Sequence, residues 1–114
     1  MIKKVLLIAI AIVVIAGIVV QLVPYGRAHT NPAVIAEPVW DSSQTQAYFS
    51  RACADCHSNE TKWPWYSHVA PFSWVVSRNV STARTVLNFS DWSRTYDLMA
   101  QAPASVLAKE MPPR

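Results

Sequence analysis

Cysteine and histidine are scarce in this chain, with two and three residues respectively among 114. A structural zinc site needs four ligands, usually from two Cys or His pairs, and no second pair accompanies Cys53 and Cys56. Basic clusters are also absent. Lys3 and Lys4 supply two of the ten Lys/Arg residues, so the rest of the chain nearly balances its seven Asp/Glu residues. The sequence therefore contains no indication of nucleic-acid binding.

Strand-like alternation of apolar and polar residues is absent as well, whereas helical periodicity recurs. We predict an amphipathic helix from about Ser43 to Cys56. A second helix should open at Pro71 with Ser73 as its cap and Arg84 on its polar face. Ser90 should cap a third helix, since serine accepts hydrogen bonds from the first-turn amides. The prediction is an all-α fold.

A single long apolar run occupies residues 5–23, with Gln21 as its only strongly polar side chain. Nineteen residues span about 28 Å as a helix, close to the hydrocarbon thickness of a bilayer. Lys3 and Lys4 precede the run, so the positive-inside rule places the N-terminus in the cytoplasm. We predict a transmembrane anchor over residues 1–23.

An apolar N-terminal run has two alternatives to an uncleaved anchor, a cleaved secretory signal and a buried core helix. A secretory signal should have an apolar region of about 7–15 residues and a small-residue cleavage site. This run is longer, and residues 21–27 offer no convincing site. A buried core helix does not fit, because the segment is apolar on every face.

The five residues from Cys53 to His57 read Cys-Ala-Asp-Cys-His. Cys-x-x-Cys-His is typical of c-type haem attachment, and chance produces it in roughly one of two thousand chains of this composition. The two thiols would add to the two vinyl groups of one porphyrin edge. The imidazole of His57 would then lie under the iron as its proximal ligand.

Three other interpretations of this motif remain open. A thioredoxin-like redox pair should lie near a βαβ pattern, which the sequence lacks. A zinc site would need His29 and His68, which are far apart in sequence. A plain disulfide is chemically acceptable in an oxidising compartment but gives His57 no role.

Residues 24–40 contain three prolines and show no sustained periodicity. We predict an extended tether between the anchor and a haem domain at residues 41–114, with His29 as a solvated side chain. Further on, three large rings cluster around Pro64 and indicate a loop against a flat apolar surface. We assign Trp65 and Trp74 to the surroundings of the haem. A backbone carbonyl in the 64–71 region should accept the second ring N–H of His57.

Together these motifs resemble the bacterial haem-binding domain family over about residues 45–113. The resemblance implies a small, membrane-anchored c-type cytochrome. Family members usually continue beyond the Glu-Met-Pro-Pro segment, where this sequence ends. The matching stretches are Asp55 to Thr61, Trp63 to Ser67, Ala70-Pro71, Ser73-Trp74, Leu87 to Trp92 and Glu110 to Pro113.

Three residues are candidates for the iron position opposite His57. Met111 precedes Pro112, which favours an extended loop, and a methionine loop is a common source of the distal sulfur. His68 would give bis-histidine ligation. Met99 lies on an apolar stripe, where methionine more often fills a core.

The choice of ligand decides the expected function. With both axial positions filled, the iron carries single electrons, and the protein is not an enzyme. We therefore expect a cytochrome c-like electron carrier on the periplasmic face of the bacterial inner membrane, with redox partner proteins. The alternative is a haem-bearing sensor or a subunit of a larger membrane complex, in which the sixth position is open.

Overall fold

The computed structural model describes the backbone of residues 1–112 and the side chains of residues 1–93 and 99–112. Helices alone make up its regular structure over those residues, so the predicted helical class with one N-terminal apolar helix is confirmed. The α-helices are α1 (Ile2–Val20), α2 (Ser43–Ala52), α3 (Ala54–His57), α4 (Phe72–Val86), α5 (Trp92–Thr95) and α6 (Ala102–Leu107). Two 3₁₀ helices lie at Trp65–His68 and Tyr96–Gln101.

The first helix, α1, is long and apolar enough to cross a membrane. None of its residues is buried in the protein. An apolar helix with no polar face has no stable place in water, because every side would expose hydrocarbon. This observation agrees with the predicted single-pass anchor.

The predicted helix over residues 43–56 is divided in two. Ser42 caps α2, with its hydroxyl oxygen accepting the Thr45 amide at 3.1 Å. Cys53 then leaves helical geometry, with φ −124° and ψ −32°. Its carbonyl accepts the amides of Cys56 at 3.1 Å and His57 at 2.9 Å, which starts the single turn of α3. The break sets the cysteine motif on a separate turn.

Ser73 and Ser90, which were predicted as helix caps, both bond to residues of distant segments. α4 starts at Phe72, two residues earlier than a Ser73 cap would allow, and Ser73 is fully buried, with its hydroxyl donating to the Tyr25 carbonyl at 3.3 Å. The Ser90 hydroxyl accepts the Asn59 amide at 3.0 Å. Both serines thus join distant segments, which sequence periodicity does not reveal.

Residues 24–40 lie outside the helices, with a turn at Tyr25 and Gly26, and part of the segment lies along the helical domain. The Ser90 carbonyl accepts the amides of Ile35 at 2.8 Å and Ala36 at 3.2 Å, while the Ala36 carbonyl accepts the Trp92 amide at 3.1 Å. Ala36 also forms an isolated parallel bridge with Asp91. The segment therefore contributes backbone pairing to the domain.

A small core lies between this segment, α2 and α4. Its centre is the ring of Phe89, which is 6 % exposed. Phe89 stacks with Trp40 at 5.8 Å and contacts Phe49 at 4.0 Å and Trp92 at 5.1 Å, measured between ring centroids. Such aromatic contacts add to the free energy of burial. They hold the turn after α4 against α2, next to the cysteine motif.

Candidate functional site

The cysteine motif forms one compact turn. Cys53 and Cys56 are both partly buried and are not joined in a disulfide. Because the amides of Cys56 and His57 bond to the same Cys53 carbonyl, Cys53 caps the single turn of α3 on which Cys56 and His57 lie. The structure thus brings the three predicted attachment residues together.

The surroundings of the two thiols keep them protonated. Burial raises the pKa of Cys53 above its ordinary value. Burial also raises the pKa of Cys56, and the negative charge of Asp55 raises it further, whereas Arg84 acts in the opposite direction. A thiolate is the nucleophilic form of cysteine, so these thiols are weak nucleophiles at neutral pH.

The imidazole of His57 is held by a backbone carbonyl. Its Nδ1–H donates to the Leu87 carbonyl oxygen at 2.8 Å. Because a carbonyl can only accept, the proton lies on Nδ1, and Nε2 carries the lone pair that a metal would need. The predicted kind of partner is correct, but its predicted location at residues 64–71 is wrong.

The position of Leu87 explains this correction. Leu87 is the C-terminal cap of α4, and the last carbonyls of a helix have no partner within that helix. The Phe89 amide donates to the His57 carbonyl at 2.8 Å, so the chain after α4 bonds to both the ring and the backbone of His57. The chain has several helix ends with carbonyls of this kind, and only tertiary packing brings the end of α4 to the His57 ring.

A buried polar network holds the residues that follow the motif. Asn59 is 5 % exposed and donates to the Ala33 carbonyl at 2.8 Å. Its side-chain oxygen accepts from Asn88 at 2.9 Å, and Asn88 accepts the Ser90 amide at 3.0 Å. Buried polar groups are stable when each is paired. The resemblance included these residues, but their partners were not predicted.

Arg84 was predicted on the polar outer face of α4, and that prediction is wrong. Its guanidinium donates to the Ser58 carbonyl at 2.8 Å and the Thr61 hydroxyl at 2.8 Å, both beside the motif. It also donates to the Thr30 carbonyl at 2.9 Å and to Asn31 at 2.9 Å. Burial lowers the pKa of Arg84 from its ordinary value. A helical wheel shows which residues share a face but not which loops will cover that face.

The two tryptophans assigned to the haem surroundings differ in environment. Trp74 is partly buried on α4, and its indole Nε1–H is buried without a hydrogen-bond partner among the described residues. Trp65, on the first 3₁₀ helix, is 79 % exposed. Trp74 therefore offers an unsatisfied donor, whereas Trp65 presents an open apolar surface.

His29 is not the solvated side chain that was predicted. Its ring stacks on Trp63 at 4.6 Å and meets the edge of His68 at 4.2 Å. Its Nε2–H donates to the Ser67 carbonyl at 3.0 Å. These contacts hold His29 at a φ of +46°, which is uncommon for a residue other than glycine.

The three candidate distal ligands, His68, Met99 and Met111, are all exposed in the structure. His68 is exposed at the end of the first 3₁₀ helix, against His29. Met99 is 36 % exposed and Met111 is 40 % exposed. The Ser105 carbonyl accepts the Glu110 amide at 3.0 Å and the Met111 amide at 3.4 Å, which folds this segment back on α6.

The chemistry of the site follows from its donor set. Two thiols and a nitrogen lone pair are held in one turn, and the ring tautomer is set by a carbonyl. Histidine held in this way is a stronger metal ligand, because the hydrogen bond orients the ring and raises its basicity.

Comparisons with known proteins place these residues in context. A family model described as haem-binding domain matches residues 15–114, which includes the motif, α4 and the end of α1. Searches of curated proteins and of solved structures returned no significant match.

Proposed function

The chain belongs to the haem-binding domain family, and from that premise we propose that it is a membrane-anchored monohaem c-type cytochrome. It carries single electrons between partner proteins. The observation that carries this proposal is the motif turn, in which Cys53, Cys56 and His57 are held together and the His57 Nδ1–H is occupied by the Leu87 carbonyl.

The residues of the site fit a covalently attached haem. Each thiol adds its sulfur to one carbon of a vinyl group and its hydrogen to the other, so the attachment needs no oxidant. The free Nε2 of His57 supplies the proximal nitrogen. The unpartnered indole N–H of Trp74 would gain an acceptor in a bound group that carries carboxylates, as the haem propionates do. When bound, the haem supplies a one-electron couple at its iron.

We further propose Met111 as the distal ligand. The hydrogen bonds from Glu110 and Met111 to the Ser105 carbonyl support it, because they order the segment that presents the thioether. His68 contacts His29, and Met99 remains a third candidate. A methionine opposite a histidine gives a higher reduction potential than two histidines, which suits electron transfer rather than ligand binding.

The anchor determines the place of action in this proposal. Lys3 and Lys4 lie in the first turn of α1, at the N-terminal end of its apolar stretch, so the N-terminus lies in the cytoplasm and the haem domain on the periplasmic face. Covalent haem also stabilises a domain whose buried apolar core consists of few residues.

Two measurements test the covalent haem. The full-length protein, produced with haem-maturation factors, should keep its haem on the polypeptide after extraction with acidified acetone. Its intact mass should exceed the bare chain by one haem. The Cys53→Ser and Cys56→Ser double variant is the control and should release its haem. Complete release from the wild type would overturn the proposal.

Carbon monoxide distinguishes an electron carrier from a sensor. The reduced wild type should not bind carbon monoxide, because both axial positions are filled. Ready binding would contradict the electron-carrier proposal and favour a sensor with an open position.

A further inference from the structure

The end of α1 is fastened to the helical domain by side-chain hydrogen bonds. The amide group of Gln21 donates to the Ala70 carbonyl at 2.9 Å and accepts the Ala70 amide at 3.0 Å. Arg27 in turn donates to the Gln21 carbonyl at 2.7 Å and to its Oε1 at 3.0 Å. The only strongly polar side chain of the apolar run is thus paired with the domain, next to the helix end.

A second contact lies beside the first. Gly26 has a φ of +77°, and a Cβ there would lie 2.7 Å from the carbonyl carbon of Ser73. The turn after α1 therefore packs closely on the start of α4, and the buried Ser73 hydroxyl donates to the Tyr25 carbonyl. Two separate contacts restrict rotation of the domain about the end of α1.

The residues on either side of Ala70 form an exposed apolar surface. We define the aromatic patch as Trp65, Tyr66, Val69 and Phe72. Their exposed fractions are 79 %, 42 %, 40 % and 58 %. The rings are neighbours, with centroids 5.9 Å apart for Trp65 and Tyr66 and 6.3 Å apart for Tyr66 and Phe72. A clustered surface of this kind usually marks an interaction site.

We propose that the aromatic patch rests in the outer interfacial layer of the bilayer that α1 spans, so that the haem domain is held in one orientation on the lipid surface. This proposal depends on the membrane anchor of the proposed function. Its partner is the lipid interface itself, which favours tryptophan and tyrosine because their rings have an apolar body and a polar edge.

Continuity with the anchor is what selects lipid as the partner. α1 ends at Val20, so Gln21 lies where the hydrocarbon layer gives way to headgroups. Since Gln21 bonds directly to Ala70, the flanking Val69 and Phe72 lie close to the same level. Leu22 and Tyr25 are also exposed at this end, by 77 % and 56 %, and extend the apolar surface toward the helix.

Photo-crosslinking in lipid vesicles tests the orientation. The full-length haem protein carries benzoylphenylalanine in place of Trp65, or in place of Tyr48 as a matched control. Tyr48 is 57 % exposed and lies on α2, outside the aromatic patch. After illumination, mass spectrometry identifies what each position has captured. Position 65 should yield lipid adducts several-fold more often than position 48.

Several outcomes would overturn the proposal. Capture of haem at position 65 would show that the patch covers the cofactor, and equal lipid capture at both positions would show no preferred orientation. A Gln21→Leu variant should lower lipid capture at position 65 while the protein stays in the membrane fraction after carbonate washing. Loss of the protein from membranes in every variant would instead refute the anchor on which this proposal depends.

Discussion

Replacing Arg84 with alanine should weaken the attachment of the segment that follows α1 to the cysteine motif. The guanidinium bonds both to Ser58 and Thr61, beside the cysteines, and to Thr30 and Asn31 in the extended segment. In the variant those acceptors would lose a charged donor.

The free energy of unfolding lost in Arg84→Ala depends on how far each of these contacts is buried. The bonds to Asn31 and Thr30 are exposed, so water would replace them at little cost. The bonds to Ser58 and Thr61 are partly buried, and hydrogen bonds to a charged group contribute about 1.5–3 kcal/mol each. Partial replacement by water lowers the total for the pair to about 2–4 kcal/mol. The melting temperature of a domain of this size should then fall by at least about 8 °C.

Thermal unfolding of the full chain in detergent, followed by far-ultraviolet circular dichroism, measures this effect. Arg84→Lys should recover only part of the loss, because an ammonium group cannot reproduce the planar fork of donors. Arg78→Ala is the matched control, since Arg78 is exposed on the same helix. Equal melting temperatures for Arg84→Ala and Arg78→Ala would refute the reasoning.

Two further predictions concern the ligands and the thiols. Met111→Ala should remove the weak long-wavelength sulfur-to-iron band of the oxidised protein, lower its reduction potential and allow carbon monoxide to bind the reduced iron. His68→Ala should change none of these three properties. The reverse pattern would establish bis-histidine ligation. In the haem-free protein, Cys53 and Cys56 should react with iodoacetamide more slowly at pH 8 than a free cysteine does, because raised pKa values reduce the thiolate fraction. Asp55→Asn should speed the reaction of Cys56 by removing a negative charge, and a profile unchanged by this substitution would contradict the assigned cause.

In the extended segment at residues 24–40, the local sequence pattern predicts the lack of helix but not the tertiary contacts. Its prolines indicate a lack of helix, and the structure agrees. Composition alone suggests a spacer, yet Ile35 and Ala36 pair with the Ser90 carbonyl and His29 packs between Trp63 and His68. Extended backbone has unpaired amides and carbonyls, and nothing local determines whether water or another segment satisfies them.

Local signals were most reliable where a few neighbouring residues carry the whole physical cause. The Ser42 cap of α2 needs only its own first turn, and the apolar character of α1 needs only side-chain composition. The break at Cys53 was missed, because helical periodicity continues across it while the backbone dihedrals do not.

The cysteine motif, the apolar helix and the helical class follow from the sequence alone, because each depends on spacing or composition within a short window. Tertiary packing is needed to bring the Leu87 carbonyl to His57, to bring Arg84 to the motif and to pair Gln21 with Ala70. These contacts join residues 26 to 49 positions apart. Their partners are backbone groups that every residue possesses, so packing selects among them and side-chain identity does not.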